Sequence, residues 1–481
     1  MRGADFIAIM PFLVLGASLI AVLLAIAFRR RHGITATLTL LGLGLSLVSL
    51  WPAASVSPVQ VTPLLLIDGY AIFYLGLILA ASFVILLLSH GYLAVRHDSP
   101  EEYYLFEGLA TVGAGALVAS NHFASFFLGL EILTISLLGL IAYPRTEERP
   151  VEAGVKYLIL AGLSSSFLLF GMALVYARLG TLEFARIGSF LNASQDAPFD
   201  LYWLTSLALI ITGIGFKLSI VPFHMWAPDI YEGAPAPVAA IVAAISKGAV
   251  LALFLRLFLT TGARTSNSVV ILINVLVIAS IMVGNLLALQ QNNVKRILAY
   301  SSVAHLGYLL IAFLVGGDLA IEAVSYYLVA YFVATVGAFG VITVLSTSDN
   351  EMEIELLEDY RGLIWRRPLI GGVFALTLLS LAGVPPTMGF FAKFYVLKAG
   401  VSAEMWPAVA ALVVGSIIAL FYYLRVIVAL CATPGVWRHD AKTPFTSVVV
   451  LATLTLALVG LGVFPTSLID MIQVVAQMSI K

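Results

Sequence analysis

Apolar runs of about 20 residues, the length that crosses a bilayer's hydrocarbon core, follow one another from Ile7 to the last few residues. Inside hydrocarbon, backbone N–H and C=O groups find no water, so only α-helices and closed β-barrels are admissible. A barrel strand alternates polar and apolar residues, and these runs do not. Only 11% of residues are charged, against about 25% in soluble chains. The sequence therefore predicts an all-α polytopic membrane protein.

Charge, Pro and Gly divide the chain into fourteen expected spans: 5–28, 34–54, 70–94, 104–120, 122–143, 153–178, 201–227, 235–260, 267–290, 295–316, 320–345, 367–399, 405–432 and 446–477. The first run exceeds a signal-peptide core and is followed by Arg29–Arg31, so it reads as a retained helix. One set of alternating loops holds Arg29–Arg31, Arg96, Arg145, Arg149, Lys295, Arg296, Arg361, Arg366, Arg367, Arg438 and Lys442. The other holds Arg2, Arg178, Arg186, Arg256, Arg264, Lys398 and Lys481. The richer side is expected to be cytoplasmic, which puts both termini outside.

The segment VKYLILAGLSSSFLLFG (155–171) matches VSYYLVAYFVATVGAFG (324–340) at five of seventeen positions. IVPF (220–223) has a counterpart in GVPP (383–386). Corresponding elements are five places apart in the order of spans, an odd step, so the two copies run in opposite directions. Inverted repeats with a broken helix in each are a transporter design, with functional groups near the bilayer midplane. Freed backbone at a break is tolerated only where protein or water satisfies it.

Against this apolar background stand Glu131, Lys217, Lys247, His305 and Lys393, all within expected spans. A mid-span charge costs roughly 2.5–3.5 kcal/mol on an insertion scale, so each requires a reason. Burial disfavours a charged lysine and a nearby carboxylate favours it, so changing contact between the two switches a lysine between holding and releasing a proton. Glu131 is the carboxylate expected near mid-membrane in the first half and the expected partner of Lys217, with Lys247 next in line. His224 and His305 are placed to relay between lysines. Static ion pairs, and packing histidines, are the competing reading.

Lys156, four residues from Glu152, either carries protons or snorkels to the surface. Arg425 either snorkels or anchors its helix, Tyr300, Tyr422 and Tyr423 pack or order water, and Glu107 is expected to face the cytoplasmic headgroups. The polar loop Glu351–Pro368 reads as a solvated connector, with partner docking as the alternative. The net charge of -1 points to no nucleic acid. With Cys431 as the single cysteine, there is no internal disulfide and no thiolate cage for an iron–sulfur cluster or zinc. No phosphate-binding Gly loop and no HExxH motif are present.

Four stretches, FKLSIVPFHMWAPDIYEGAPAPV, NVKRILAYSSVAHLGYLL, YRGL and SLAGVPPTMGFFAKFYVLKAG, resemble the antiporter-like membrane subunits of proton-pumping NADH–quinone oxidoreductase, respiratory complex I. The similarity runs over essentially the whole chain. Lysine at 393, where a sister subunit has glutamate, is similar to the N-type branch, as is an end shortly after the fourteenth span, without a long lateral helix. The resemblance implies three leading helices (1–103), two inverted five-helix repeats (helices 4–8 at 104–260 and 9–13 at 261–432) broken at helices 7 and 12, and a last helix (433–481). It implies a proton relay of Glu131, Lys217, Lys247, His305 and Lys393, with every expected position filled.

It also implies that this chain serves an enzyme, a proton-translocating NADH–quinone oxidoreductase, without a cofactor or redox centre of its own. NADH, FMN, iron–sulfur clusters and quinone would belong to partner subunits. The implied partners are other membrane subunits of complex I, neighbouring antiporter-like subunits among them, in a bacterial inner membrane. A subunit of a multisubunit cation/proton antiporter or membrane-bound hydrogenase is the alternative within transport. A solute transporter would show a pocket of polar or aromatic substrate contacts. A non-transporting scaffold would tolerate neutral residues in place of the buried lysines.

Overall fold

The structure, a computed structural model, describes residues 3–96, 99–193, 201–262, 267–347, 353–434 and 444–478. Arg2, Arg264, Glu351, Arg438, Lys442 and Lys481 of the sequence reading lie outside them. In chain order, α1 (Gly3–Ala8), α2 (Met10–Phe28) and α3 (His32–Val56) precede a hairpin, β1 (Val59–Thr62) and β2 (Leu65–Ile67). There follow α4 (Gly69–Arg96), α5 (Glu101–Val118), α6 (Phe123–Ile141), α7 (Glu148–Leu179), α8 (Phe184–Ala193), α9 (Leu201–Leu218) and α10 (Trp226–Gly233). The next helix begins as α11 (Ala236–Ala240), widens into a π-helical segment (Ile241–Ser246), and continues as α12 (Lys247–Thr261). Then come α13 (Asn267–Leu289), α14 (Val294–Val315), α15 (Gly317–Leu345), α16 (Leu363–Arg366), α17 (Pro368–Ala382), α18 (Met388–Ser402), α19 (Trp406–Cys431), α20 (Phe445–Val463) and α21 (Thr466–Met478).

Among the described residues eleven helices are long and apolar enough to cross a membrane. The other three expected spans fall on α5 and on the two broken helices, α9 with α10 and α17 with α18. The helix 236–261, α14 and α15 are almost wholly buried at the centre, while α2 and α20 lie at the rim. Small residues let the central helices approach: a Cβ on Gly248 would meet the Phe332 ring at 2.3 Å. Paired glycines do the same at two matching crossings. On α5 and α6 they are Gly113 and Gly129, and on α13 and α14 they are Gly284 and Gly307, where an added Cβ would meet the facing helix.

Several expectations are corrected. The first expected span is two helices separated at Ile9, and the last is interrupted at Phe464–Pro465. A hairpin stands between α3 and α4: β1 and β2 pair antiparallel, and Leu65 and Leu66 bridge to Ser120 and Ala119 in the turn joining α5 to α6. His122 of that turn bridges to Glu183. Arg256 is no loop residue: it is buried and grips Asp68 with two hydrogen bonds of 3.0 and 2.7 Å. Lys295 is buried too, in the first turn of α14. Glu107 does not reach the headgroups; it is fully buried in α5.

The loop before α17 is not a solvated connector. Ile354 and Tyr360 are buried, and Val294 and Leu357 donate backbone N–H groups to Glu355 and Asn292, tying the loop to the start of α14. Lys295 donates to Glu353 at 2.6 Å and to the carbonyls of Glu232 and Ala234 at 2.9 and 2.7 Å. Burial pushes the Glu353 carboxyl up, but the Lys295 charge and hydrogen bonds from Lys295, Tyr92 and the Ala236 N–H outweigh it and hold it below the ordinary value. Glu355 is raised, chiefly by burial.

Candidate proton path

Lys217 lies at the C-terminal end of α9, where the helix stops and the chain turns through Ser219–Met225. Ser219 stands at φ 57°, in the left-handed region. The freed backbone is satisfied within the protein: Val221 N–H donates to Ser280 Oγ at 3.0 Å, and the Trp226 indole N–H to the Phe216 carbonyl at 2.8 Å. The Lys217 ammonium donates to Thr134 Oγ1 at 2.6 Å and lies 5.6 Å from the centre of the Tyr157 ring. Thr134 is one turn from Glu131 on α6, and Glu131 accepts from Ser165 Oγ of α7 at 2.6 Å. The expected Glu131–Lys217 pair is therefore not a direct contact: Thr134 holds the lysine and Ser165 the carboxylate. Both hydroxyls lie on apolar helices, with no sequence mark that sets them apart from packing residues.

Lys247 directly follows the π-helical segment and donates to Ser302 Oγ on α14 at 2.6 Å. Its ammonium also faces the rings of Tyr231 and Trp226, at 5.1 and 5.9 Å. Trp226 in turn stacks on Phe216, the neighbour of Lys217. Ser302 thus ties the lysine of the first half to a helix of the second.

His305, three residues along α14, bonds Tyr327 at 2.7 Å through Nδ1 and Tyr423 at 3.3 Å through Nε2. Tyr423 donates on to Ser301 at 2.7 Å. A cavity of about 10 Å³, counted as space for water centres, opens beside His305 against Ser380, Gly389 and Ala392 of the second broken helix. That is about the room one water needs.

Lys393, on α18, reaches back across the second break and donates to the Ala382 carbonyl at the end of α17, at 2.8 Å. Gly383, at φ 84°, caps α17, and a Cβ there would lie 2.8 Å from Lys393 Cδ. The Tyr308 ring covers the ammonium at 5.2 Å.

Of the five, Lys217, Lys247, His305 and Lys393 are buried and Glu131 is half-buried; they stand on α6, α9, α12, α14 and α18. The three lysines are 4%, 1% and 7% exposed, and each donates to a hydroxyl or carbonyl rather than to a carboxylate. Of the two further candidates, Lys156 lies at the surface and His224 in the first break. Lys156 is exposed and pairs with Glu152 at 2.8 Å and Asp229 at 3.0 Å. Asp229 also meets Arg296, which binds Glu232 at 2.6 Å. His224 is buried in the first break near Tyr300, with neither ring nitrogen in a hydrogen bond of ordinary geometry. Arg425 anchors α19 to the carbonyls of Leu289 and Gln291. Tyr422 donates to Asn285, which itself donates to Tyr308. Among the described residues no three His, Cys, Asp or Glu side chains gather as a metal-holding group.

Comparison with known proteins places this architecture. Residues 120–419 match the family described as NADH:quinone oxidoreductase/Mrp antiporter, TM. The chain is 51% identical to NADH-quinone oxidoreductase subunit N of Nitrosospira multiformis, over 98% of this chain and 96% of the relative. A chain of respiratory complex I from Thermus thermophilus superposes with a TM-score of 0.82 at 29% identity, covering 96% of this chain and 98% of that one. A chain of an archaeal membrane-bound sulfane sulfur reductase gives 0.86 at 25% identity, covering 100% and 98%. A chain of the Mrp complex from a Dietzia species, at 20% identity and a TM-score of 0.87 over 99% and 97%, shares the fold. The chain belongs to the NADH:quinone oxidoreductase/Mrp antiporter membrane-subunit family, as an antiporter-like, proton-pumping subunit of the complex I kind, most like subunit N.

Proposed function

We propose that this chain carries protons across the membrane through Glu131, Lys217, Lys247, His305 and Lys393, coupled to electron transfer from NADH to quinone in partner subunits. The observation that carries the reading is the placement of the three lysines. Each is buried beside an irregular stretch of helix, two breaks and one π segment. Each donates to a neutral acceptor, so none is fixed by a permanent counter-ion. A static ion pair would join a lysine directly to a carboxylate, as Lys295 joins Glu353. Lys156, in a surface network, serves as a strut between α7, α10 and α14.

NADH, FMN, iron–sulfur clusters and quinone belong to partner subunits in this reading, and neighbouring antiporter-like subunits flank the chain in the inner membrane. The arginine-rich side faces the cytoplasm and both termini the periplasm. The halves divide as 104–260 and 261–432, after leading helices 1–103 and before a closing segment 433–481.

The test is Lys217→Ala in inside-out membrane vesicles, with assembly of the complex checked first. NADH-driven quinone reduction and proton uptake are followed together. A fall in both, or in protons moved per electron, supports the relay. An assembled complex that pumps and turns over normally makes Lys217 structural and sinks it.

A further inference from the structure

Glu107 is 0% exposed within α5, and neither carboxyl oxygen has a hydrogen-bond partner. An ionised carboxylate so placed, without donor or cation, is among the costliest arrangements in a low-dielectric interior. Burial of a glutamate there serves no ion pair, unlike that of Asp68 or Glu353, each of which meets a basic partner.

A polar cluster lies one turn from it toward the arginine-rich side. Tyr104 Oη meets His32 Nε2 at 2.5 Å and His90 Nδ1 at 3.3 Å, and the two imidazoles stack with centres 4.3 Å apart. Tyr103 Oη meets Ser89 Oγ at 3.0 Å. One turn beyond Glu107, Thr111 and Ser82 share a hydrogen bond of 2.7 Å. Titratable groups therefore reach from the surface at His32 and His90 to Tyr104, one helical turn from a carboxyl inside the bundle with which none of them shares a hydrogen bond.

We propose that Glu107 is a proton-binding station on the arginine-rich side, loaded through the His32–Tyr104–His90 cluster and separate from the Glu131–Lys217 site. Tyr104 passes a proton by donating one as it accepts another, so no charge rests on the phenol. The proton taken by the carboxylate is drawn from the loop side, and deprotonation returns the carboxylate. The α5–α6 crossing sets the spacing. Gly113 lies against Gly129 and Leu133 of α6, hence level with Glu131. Glu107 is six residues back along α5, about 9 Å of helical rise.

Among the surrounding charged and titratable groups, Glu107 is the carboxyl that is fully buried with both oxygens unpartnered; Glu101 is 5% exposed with one oxygen unpartnered. Glu102 at the start of α5 is paired with Arg30 at 2.6 Å. Glu101 lies at the same end. On α4 the facing group is His90, and at the end of α6 it is Tyr143, whose ring packs against Tyr103. On α12, Lys247 and Arg256 are engaged by Ser302 and Asp68. The α2 helix, whose Leu19 packs at Gly108, has no titratable residue.

This inference rests on the proton-carrying reading, so Glu107→Gln is measured beside Lys217→Ala in the same vesicles. The amide keeps the side chain's shape but cannot titrate. Expected are normal assembly, NADH-driven proton uptake reduced by about twofold or more, below the full effect of a positioned acid–base group, and loss of one carboxyl C=O infrared band whose titration is shifted by His32→Gln. Normal pumping with an unchanged pH profile in Glu107→Gln, while Lys217→Ala fails, overturns the Glu107 station alone. Normal pumping in both overturns the proton reading with it. Should the glutamine variant not assemble, Glu107→Asp is expected to pump with a displaced pH profile, and an unchanged profile overturns the proposal.

Discussion

The two broken helices solve one problem in opposite directions. In the first, Lys217 precedes the break and belongs to the half-helix that ends there. In the second, Lys393 follows the break and reaches back to the half-helix it has left. The Lys393 ammonium meets the C-terminal end of the preceding half-helix, where exposed carbonyls and the helix dipole favour a cation; Lys217 stands in the last turn of its own half-helix, with its ammonium turned to α6. The difference lies in the acceptor. Lys217 is held by the Thr134 side chain, one turn from a carboxylate; Lys393 is held by a backbone carbonyl that no substitution can remove. The first site is adjustable through its neighbours' side chains. The second is adjustable only through the break itself.

Gly383→Ala strikes the second break alone and should have the largest effect. An added Cβ meets Lys393 Cδ at 2.8 Å, and the left-handed conformation adds roughly 1–2 kcal/mol of strain. A lower thermal midpoint and a loss of NADH-driven proton uptake are expected. Unchanged values for both would mean that Lys393 does not depend on its cap.

Thr134→Val strikes the first break alone. It removes a hydrogen bond to a charged group, worth about 1.5–3 kcal/mol, while keeping the side chain's shape. Pumping should fall and Thr134→Ser should restore it. Equal pumping in the valine and serine variants would show that the hydroxyl is not the operative acceptor.

The smallest effect is expected at the loop over α14, outside both breaks. A carboxyl held below its ordinary value stabilises the fold above the unfolded-state pKa and loses that contribution as pH falls through the lowered folded value. Acid should therefore raise hydrogen exchange, corrected for intrinsic rates, in the loop from Glu353 to Tyr360. Glu353→Gln should flatten this dependence. Glu355, raised by burial, contributes in the opposite sense, so Glu355→Gln should steepen it. If Glu353→Gln also abolishes pumping, the loop and the breaks are not independent.

The helical membrane class, both breaks and the interior lysines are legible because membrane burial leaves few explanations for a charge or a proline within an apolar run. Neutral contacts left no such trace. Thr134, Ser165 and Ser302 read as ordinary small polar residues until the helices are packed. Glu107 was misplaced because its position near a span's start suggested headgroups, whereas α5 begins at Glu101 and its first turns are already covered. Arg256 and Lys295 were counted as loop charges for the same reason. Distance from a span's end says little when hairpins and loops fold back over that end.

The π segment before Lys247 carries a consequence of its own. Such a turn holds one residue more than the α turn it replaces, so it is slack stored in a helix whose ends remain anchored. Moved along by one turn, it rotates the residues it crosses by about 100° without lengthening the helix. Lys247 is the first residue it would cross toward the C-terminus. A shift of the segment past Lys247 would therefore turn that side chain away from Ser302 with the two ends of the helix left in place.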